Sequence, residues 1–260
     1  TYIKKPRGKQ MVELRKNIIK HKLAKGQPTL TLMGVANADQ IDQLGPLDFD
    51  GIWLEAEHGG VDFNDISDLT RACDLWDKTS ITRVHQNEAG VIYRTLDRGS
   101  QSICVPHVNT AEEARNVVDA AKFAPIGNRG MSTSRLGYGV KDYFLKANQE
   151  SMLIVLIEDI IAVNNLDEIL EVEDIDVFFV APNDLAATMG YIGRSDDKKV
   201  LDTIEDTLKR IVASGKNAGT LTTASMLDHY LNIGVNCICV NIGPFLNEGI
   251  TSVSNIINSK

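Results

Sequence analysis

Residues 152–159 read MLIVLIED, and residues 177–184 read VFFVAPND. Each is a continuous apolar run that stops at acidic or amide side chains. Neither alternates apolar with polar, so neither reads as a strand with one wet face. A parallel strand covered on both faces gives this pattern. The polar residues that follow mark the end at which such strands carry chemistry. Glu158 is the informative one, because a carboxylate ending a run of six apolar residues is costly to bury unless it is compensated.

Six further segments of the same kind lie along the chain: Thr29–Ala36, Gly51–Glu55, Ser80–Val84, Ser102–Pro106, Asn217–Leu221 and Asn236–Asn241. With Met152–Glu158 and Asp176–Ala181 they make eight. Helix-like stretches separate most of them, among them Asp65–Trp76, Asp202–Ser214 and Ser225–Leu231. In Ala111–Phe123, Thr110 is placed to cap the helix and Glu112 and Glu113 occupy its first turn. Eight strands alternating with helices predict an α/β protein with a single (β/α)8 TIM barrel over residues 1–260. A doubly wound open sheet is the competing architecture, but no G-x-G-x-x-G follows the first strand. The connection Gly127–Glu150 is long for a compact domain, and loops of that length are often functional.

Apolar residues make up 43% of the 260 and charged residues 24%, as in a soluble globular protein. The net charge of −8 speaks against a broad nucleic-acid surface, although a few arginines can still hold a small anion locally. Met11, Leu14, Ile18, Ile19 and Leu23 recur with helical spacing and predict a first helix over about residues 10–24 with a solvated basic face. A last helix is expected over about residues 245–258. No signal-peptide pattern and no membrane-length apolar run is evident, so the expected location is cytoplasmic with no membrane partner. Cys73, Cys104, Cys237 and Cys239 read as buried free thiols rather than a metal pair.

Polar residues gather at the strand ends. The second strand gives Glu55, Glu57 and His58, the third Arg83 and His85, and the fourth His107. The fifth gives Glu158 and Asp159, and the sixth Asn183 and Asp184. Glu158 and Asp184, on neighbouring strand ends, would offer oxygen ligands to a hard divalent ion. The alternatives are a solvated strand end and a helix cap. His58, beside carboxylates, could act as a general base or be an idle loop residue. Arg83, in a β-branched strand, must pair with a carboxylate or grip a substrate anion. His21 and His229 read as surface residues.

Several of these stretches resemble the HpcH/HpaI aldolases, the metal-dependent class II pyruvate aldolases. The resemblance rests on FDGIWLEAEHG at 49–59, TRV at 82–84, LDRGSQSICVPHV at 96–108, GNRG at 127–130, LIVLIED at 153–159 and VAPNDLAATMGY at 180–191. It implies that Glu158 and Asp184 hold Mg²⁺, Mn²⁺ or Co²⁺. By the same resemblance His58 is the catalytic proton acceptor, Glu55 stands beside it and Asp97 raises its basicity. Arg83 steadies the pyruvyl carbonyl, and the backbone amide of Asn183 meets the substrate carboxylate next to Ala181 and Asp184. The resemblance further implies a hexamer with active sites near subunit boundaries. Three positions depart from the family pattern: Leu156 replaces a glutamine, Ala181 a glycine and Glu55 an aspartate.

The implied reaction is reversible cleavage of a 4-hydroxy-2-oxo acid to pyruvate, or a related 2-oxo acid, and an aldehyde through a metal-stabilised enolate. No Schiff-base lysine is needed; the lysine expected near a strand, Lys216, opens the seventh strand at the wrong end. The aldehyde pocket is expected from Val35–Asp39, His85 and the Gly127–Glu150 connection. A CoA-thioester lyase of the citramalyl or malyl type, or a catalytically silent metabolite-binding barrel, are the alternatives.

Overall fold

A computed structural model describes residues 12–260. Eight parallel strands close into a barrel in sequence order: β1 (Thr29–Met33), β2 (Gly51–Glu55), β3 (Thr79–Arg83), β4 (Ser102–Val105), β5 (Met152–Ile157), β6 (Val177–Val180), β7 (Asn217–Leu221) and β8 (Cys237–Asn241). β1 pairs with β8 to complete the ring. The strands run one to three residues shorter than several of the apolar segments, because polar strand ends leave the ladder where they enter the loops.

Twelve helices are present among the described residues. They are α1 (Ile18–Leu23), α2 (Ala38–Leu44), α3 (Ile66–Leu75), α4 (Ala89–Asp97), α5 (Ala111–Ala121), α6 (Tyr143–Glu150), α7 (Ile160–Asn164), α8 (Leu166–Leu170), α9 (Pro182–Thr188), α10 (Lys198–Ala213), α11 (Ala224–Asn232) and α12 (Ile242–Asn258). The expected cap of α5 is a full capping box, with Thr110 accepting from the Glu113 amide and the Glu113 side chain reaching back.

The period of two along each strand sorts the core into two layers. Trp53, Ile81, Cys104, Ile154, Leu156, Phe179, Cys237 and Cys239 fill the barrel interior. Outward-facing residues such as Ile52, Ile103, Val155 and Phe178 pack beneath the helices. The four cysteines are buried free thiols, as expected, and burial pushes Cys73 and Cys237 up to about 12. Thiols held that far up are neutral packing groups, not nucleophiles.

The first helix differs from expectation. Met11 lies outside the described residues, and helix begins only at Ile18. The reason is Asn17, which is fully buried. Its side chain caps α1 by accepting from the Lys20 amide and also donates to the Gln101 carbonyl and Ser102 Oγ. Ile19 and Leu23 then plug the N-terminal end of the barrel. The basic face is not wholly solvated: Lys20 pairs with Asp176 at 2.9 Å and Lys22 with Asp50 at 2.8 Å.

Two buried lysines escaped the sequence reading. Lys78, just before β3, donates to the Leu47 and Phe49 carbonyls. Lys122, after α5, donates to the Asn148 and Ser151 carbonyls and to Ser151 Oγ, and burial pushes it down to about 8. Both sit at the N-terminal end of the barrel, away from the polar strand ends. The connection Gly127–Glu150 also belongs there in origin, since it joins the end of α5 to the start of β5. It carries a short 3₁₀ turn (Arg135–Gly137) and α6, and its turn packs on α3 through Arg135, which reaches Thr70 and Asp74. It is therefore no wall of a pocket at the barrel mouth of its own chain. None of the described helices is long and apolar enough to cross a membrane.

Candidate active site

Parallel strands bring all their C-terminal ends to one mouth. Glu55 and Arg83 are register partners on β2 and β3, so their side chains leave the same face, inward. Arg83 Nε donates to Glu55 Oε2 at 2.7 Å, and Trp53 Nε1 donates to the same oxygen at 3.1 Å. The other oxygen, Glu55 Oε1, accepts the backbone amides of Glu57 and His58 at 2.9 and 3.1 Å. Glu55 thus ties the end of β2, the β3 guanidinium and the following turn together. Gly59 is required there, because a Cβ would stand 2.6 Å from the Glu55 carbonyl oxygen.

Glu57 is the residue whose role the sequence reading missed. Its side chain is only 8% exposed. Oε2 lies 3.0 Å from Arg83 Nη1 but off the line of its N–H bonds, so this buried oxygen accepts no hydrogen bond. His58 Nε2 stands 3.8 Å from it, and His107 Nε2 stands 3.6 Å from Glu57 Oε1. One carboxylate therefore faces two imidazoles. The signal was present in the sequence, because residues 53, 55 and 57 share a face by the period of two. His58 itself is 67% exposed and projects from the turn.

Burial alone would lower the pKa of Arg83, but Glu55 and Glu57 outweigh it and hold the guanidinium charge above its ordinary range. Nε and Nη1 face these carboxylates, while Nη2 makes no hydrogen bond among the described residues. Both readings left open for Arg83 are thus served by one side chain: two nitrogens pair within the protein and one remains for a ligand.

Glu158 follows β5 and is 1% exposed. Its Oε1 accepts the His107 amide at 2.7 Å, with His107 Nδ1 3.2 Å away. His107 adopts a left-handed backbone, φ 54°, to turn that amide inward. Such conformations are costly for a residue with a Cβ and cluster at functional sites. Burial raises the Glu158 pKa, the His107 amide and imidazole oppose this, and the charges of Asp184 and Glu57 raise it further. Asp184 is the third residue of α9, whose cap is Ala181 and whose first residue is Pro182. Asn183 is exposed beside it.

A divalent ion fits this donor set. The mouth concentrates carboxylate charge around the buried Glu158, on which the charges of Asp184 and Glu57 bear, and all the acidic donors are hard oxygens. Among the described residues no group of three His, Cys, Asp or Glu side chains forms a closed cage. Two carboxylates with the remaining positions left to water and substrate is the usual arrangement for Mg²⁺. Leu156 lies one inward position below Glu158, buried in the barrel interior, so the floor there is apolar.

Asp97 is not brought to His58. α4 runs back from the mouth, which leaves its last residue near the start of β4, and there Asp97 pairs with Arg129 at 2.6 Å. Beyond Asn183, the ends of β7 and β8 and the start of α12 enclose a pocket of about 510 Å³ that also contains Thr222, Ser225, Asn241 and Phe245.

A (β/α)8 barrel with an acidic, arginine-braced mouth defines a class of enzyme rather than a single activity. The sequence profile of the HpcH/HpaI aldolase/citrate lyase family matches residues 30–238, and the chain belongs to that family. It is 34% identical over 236 residues to the hydroxypyruvate/pyruvate aldolase of Deinococcus radiodurans, covering 88% of this chain and 85% of that one. It is 32% identical over 243 residues to the 2-keto-3-deoxy-L-rhamnonate aldolase of Escherichia coli, covering 91% of each. An HpcH/HpaI aldolase/citrate lyase family protein from Burkholderia cenocepacia superposes with a TM-score of 0.87 at 23% identity, over 93% of this chain and 99% of that one, which supports the barrel fold.

Proposed function

We propose that this carbon–carbon lyase is a divalent-metal-dependent pyruvate aldolase, cleaving 4-hydroxy-2-oxo acids reversibly to pyruvate, or a related 2-oxo acid, and an aldehyde. The observation that carries the reading is the mouth itself: a buried Glu158 near Asp184, facing Arg83 and the Glu57–His58 turn. The names of the aligned relatives favour a free-acid aldolase over a CoA-thioester lyase or a silent barrel.

Glu158 and Asp184 would hold Mg²⁺, Mn²⁺ or Co²⁺, which when bound supplies electrophilic polarisation of the 2-oxo acid. Arg83 turns its free Nη2 toward the 2-oxo oxygen and opposes the charge that grows there as the C3–C4 bond breaks. Glu55 keeps Arg83 from rotating away. The first-turn amides of Asn183 and Asp184, beside Ala181, receive the substrate carboxylate. His58 takes the proton of the C4 hydroxyl in cleavage and returns it in condensation. Glu57 presents its carboxylate 3.8 Å from His58 Nε2 and faces Arg83 on its other side.

Asp97 can assist His58 only if a second copy presents it, since within one chain it lies on the barrel flank. That requirement fits a homo-oligomer, a hexamer by the family resemblance. The reading is tested by pyruvate release from a 4-hydroxy-2-oxo acid, run over a panel of aldehyde partners. Activity should vanish with a chelator and return with Mn²⁺, Mg²⁺ or Co²⁺. Full turnover after exhaustive chelation, or borohydride trapping of substrate on a lysine, would sink it.

A further inference from the structure

On one side the mouth opens into the pocket of about 510 Å³ beyond Asn183. Its wall starts at Pro182 and Asn183, immediately before Asp184, and crosses the ends of β7 and β8 to the first two turns of α12. Leu221, the last residue of β7, packs on the barrel interior and also lines the pocket, so the pocket continues the mouth. The opposite rim is filled, because Glu55, Glu57, Arg83 and His107 engage one another there. Room for the unreacting part of a substrate therefore lies on the β7–β8 side. Pro244 and Glu248, four residues apart, share the face of α12 that lines the pocket. The exposed apolar residues Leu246, Ile250 and Val253 lie on the other face. Covering those residues does not by itself close the pocket.

The simplest alternative is a hollow filled with water. It does not account for a hollow that opens from the residues next to Asp184 and has the inward end of β7 as its floor. The lining is also uneven in charge. Leu221 and Phe245 supply apolar surface, and Thr222, Ser225 and Asn241 supply neutral polar groups. Asn241 Oδ1 caps α12 by accepting the Gly243 amide at 2.8 Å, while Nδ2 makes no hydrogen bond among the described residues. No lysine, arginine or histidine lines the pocket, and its one ionisable group is the exposed Glu248. Arg194, beside the lining residue Ser195, is engaged elsewhere: its guanidinium stands 4.9 Å from the centre of the Tyr191 ring and 3.9 Å from Asp197. An anionic tail entering here would give up water, meet no cation and face Glu248. A neutral tail gains apolar contact on Leu221 and Phe245, with Asn241 Nδ2 left to donate to a carbonyl or hydroxyl oxygen.

We propose that this pocket receives the aldehyde half of the substrate, that the aldehyde is uncharged, and that Glu248 turns away aldehydes bearing a carboxylate or phosphate. This assignment rests on the aldolase reading of the mouth and adds its substrate class. Condensation of pyruvate with two aldehydes of similar length, pentanal and succinic semialdehyde, tests it on the metal-loaded full chain. The wild type should favour pentanal in kcat/KM by about tenfold or more, since the anion gains no compensating partner. Glu248→Gln should narrow that preference. Glu248→Lys should raise kcat/KM for succinic semialdehyde by about fivefold or more and leave that for pentanal within about twofold, because it replaces a repulsive element with an attractive one. Rising salt should narrow the wild-type preference as well, since an exposed charge is screened. The proposal is overturned if the wild type favours succinic semialdehyde or if both Glu248 variants keep the wild-type ratio. It is equally overturned if Glu248→Lys slows both aldehydes alike, since the residue would then serve shape or assembly and not charge. Turnover with the wrong preference overturns this assignment alone. Condensation of neither aldehyde, with no pyruvate released from any 4-hydroxy-2-oxo acid, overturns the aldolase reading and this assignment with it.

Discussion

Glu57 and His58 are adjacent in sequence yet differ in every physical respect: one is a buried carboxylate, the other an exposed imidazole. Their roles separate by mutation. His58→Ala should cut aldol cleavage by ~10²–10⁴-fold, the usual worth of general acid–base catalysis, and leave pyruvate affinity nearly unchanged. Glu57→Gln should also slow cleavage, because the neutral amide no longer offers its charge to Arg83 Nη1. Arg83→Ala should lose both, since the same guanidinium meets the ground state and the developing charge; removing one such donor costs ~3–4 kcal/mol of barrier. Arg83→Lys should rescue only part, because a point charge cannot pair with Glu55 and Glu57 and still reach the substrate. Rates and pyruvate affinities of the four variants decide it, and abolished pyruvate binding in His58→Ala would refute this division of labour.

Glu158 carries a prediction of a different kind. Its folded pKa lies above the ordinary 4.5, so the folded state binds its proton more tightly than the unfolded chain does. Stability from this group is therefore full below pH 4.5 and falls as pH rises through the unfolded and then the folded pKa. At neutral pH without metal the buried charge is a burden, which a bound cation relieves. In metal-free buffer at pH 7, Glu158→Gln should melt at or above the wild-type temperature. Adding Mn²⁺ should then raise the wild-type melting temperature and leave the variant's unmoved. A variant that melts lower when metal-free and still gains from Mn²⁺ contradicts the assignment.

At the scale of the element, the turn after β2 holds the site in register. Gly59 folds back on the Glu55 carbonyl so closely that Gly59→Ala must push the turn outward. The amides of Glu57 and His58 would then leave Glu55 Oε1, and cleavage should fall by more than stability does. Wild-type turnover in Gly59→Ala would show that the turn tolerates the shift. The elements also show what was readable in advance. The eight strands and the capping box at Thr110 were legible because apolar runs and local hydrogen bonds are written in consecutive residues. The shortened α1 was not, because Asn17 is fixed by Gln101 and Ser102, more than eighty positions away in sequence. The place of Asp97 within its own chain was not legible for a related reason. A sequence motif records which residues matter but not which end of the barrel a helix returns them to. The same holds for the 127–150 connection, whose length was plain and whose location follows only from its joining a helix to a strand.

At the scale of the whole molecule, the apolar stripe of α12 has no partner among the described residues. None of its seventeen residues is buried. Yet Leu246, Ile250, Val253 and Ile257 recur at helical spacing, each at least 58% exposed, and Phe245 and Ile256 flank them at 50% and 61%. An apolar stripe of this length on a helix that follows the last barrel strand is not a stable solvent face. The apolar residues of α1, by contrast, are buried in the barrel end, so the chain covers such faces where it can. Self-association would cover this one: a second copy offers the same stripe, and closed symmetric assembly pairs like surfaces. Assembly would also give Asp97 of one copy a way to reach His58 of another. Charge on the stripe should therefore act twice. Ile250→Glu with Val253→Glu should convert an oligomer to a species near 28.6 kDa by light scattering. It should lower cleavage even though neither residue lies at the mouth, and the loss should follow the monomer fraction as protein is diluted. A wild-type chain that is already monomeric and fully active, or a charged variant that stays assembled, would remove both α12 as the contact and Asp97 from the chemistry.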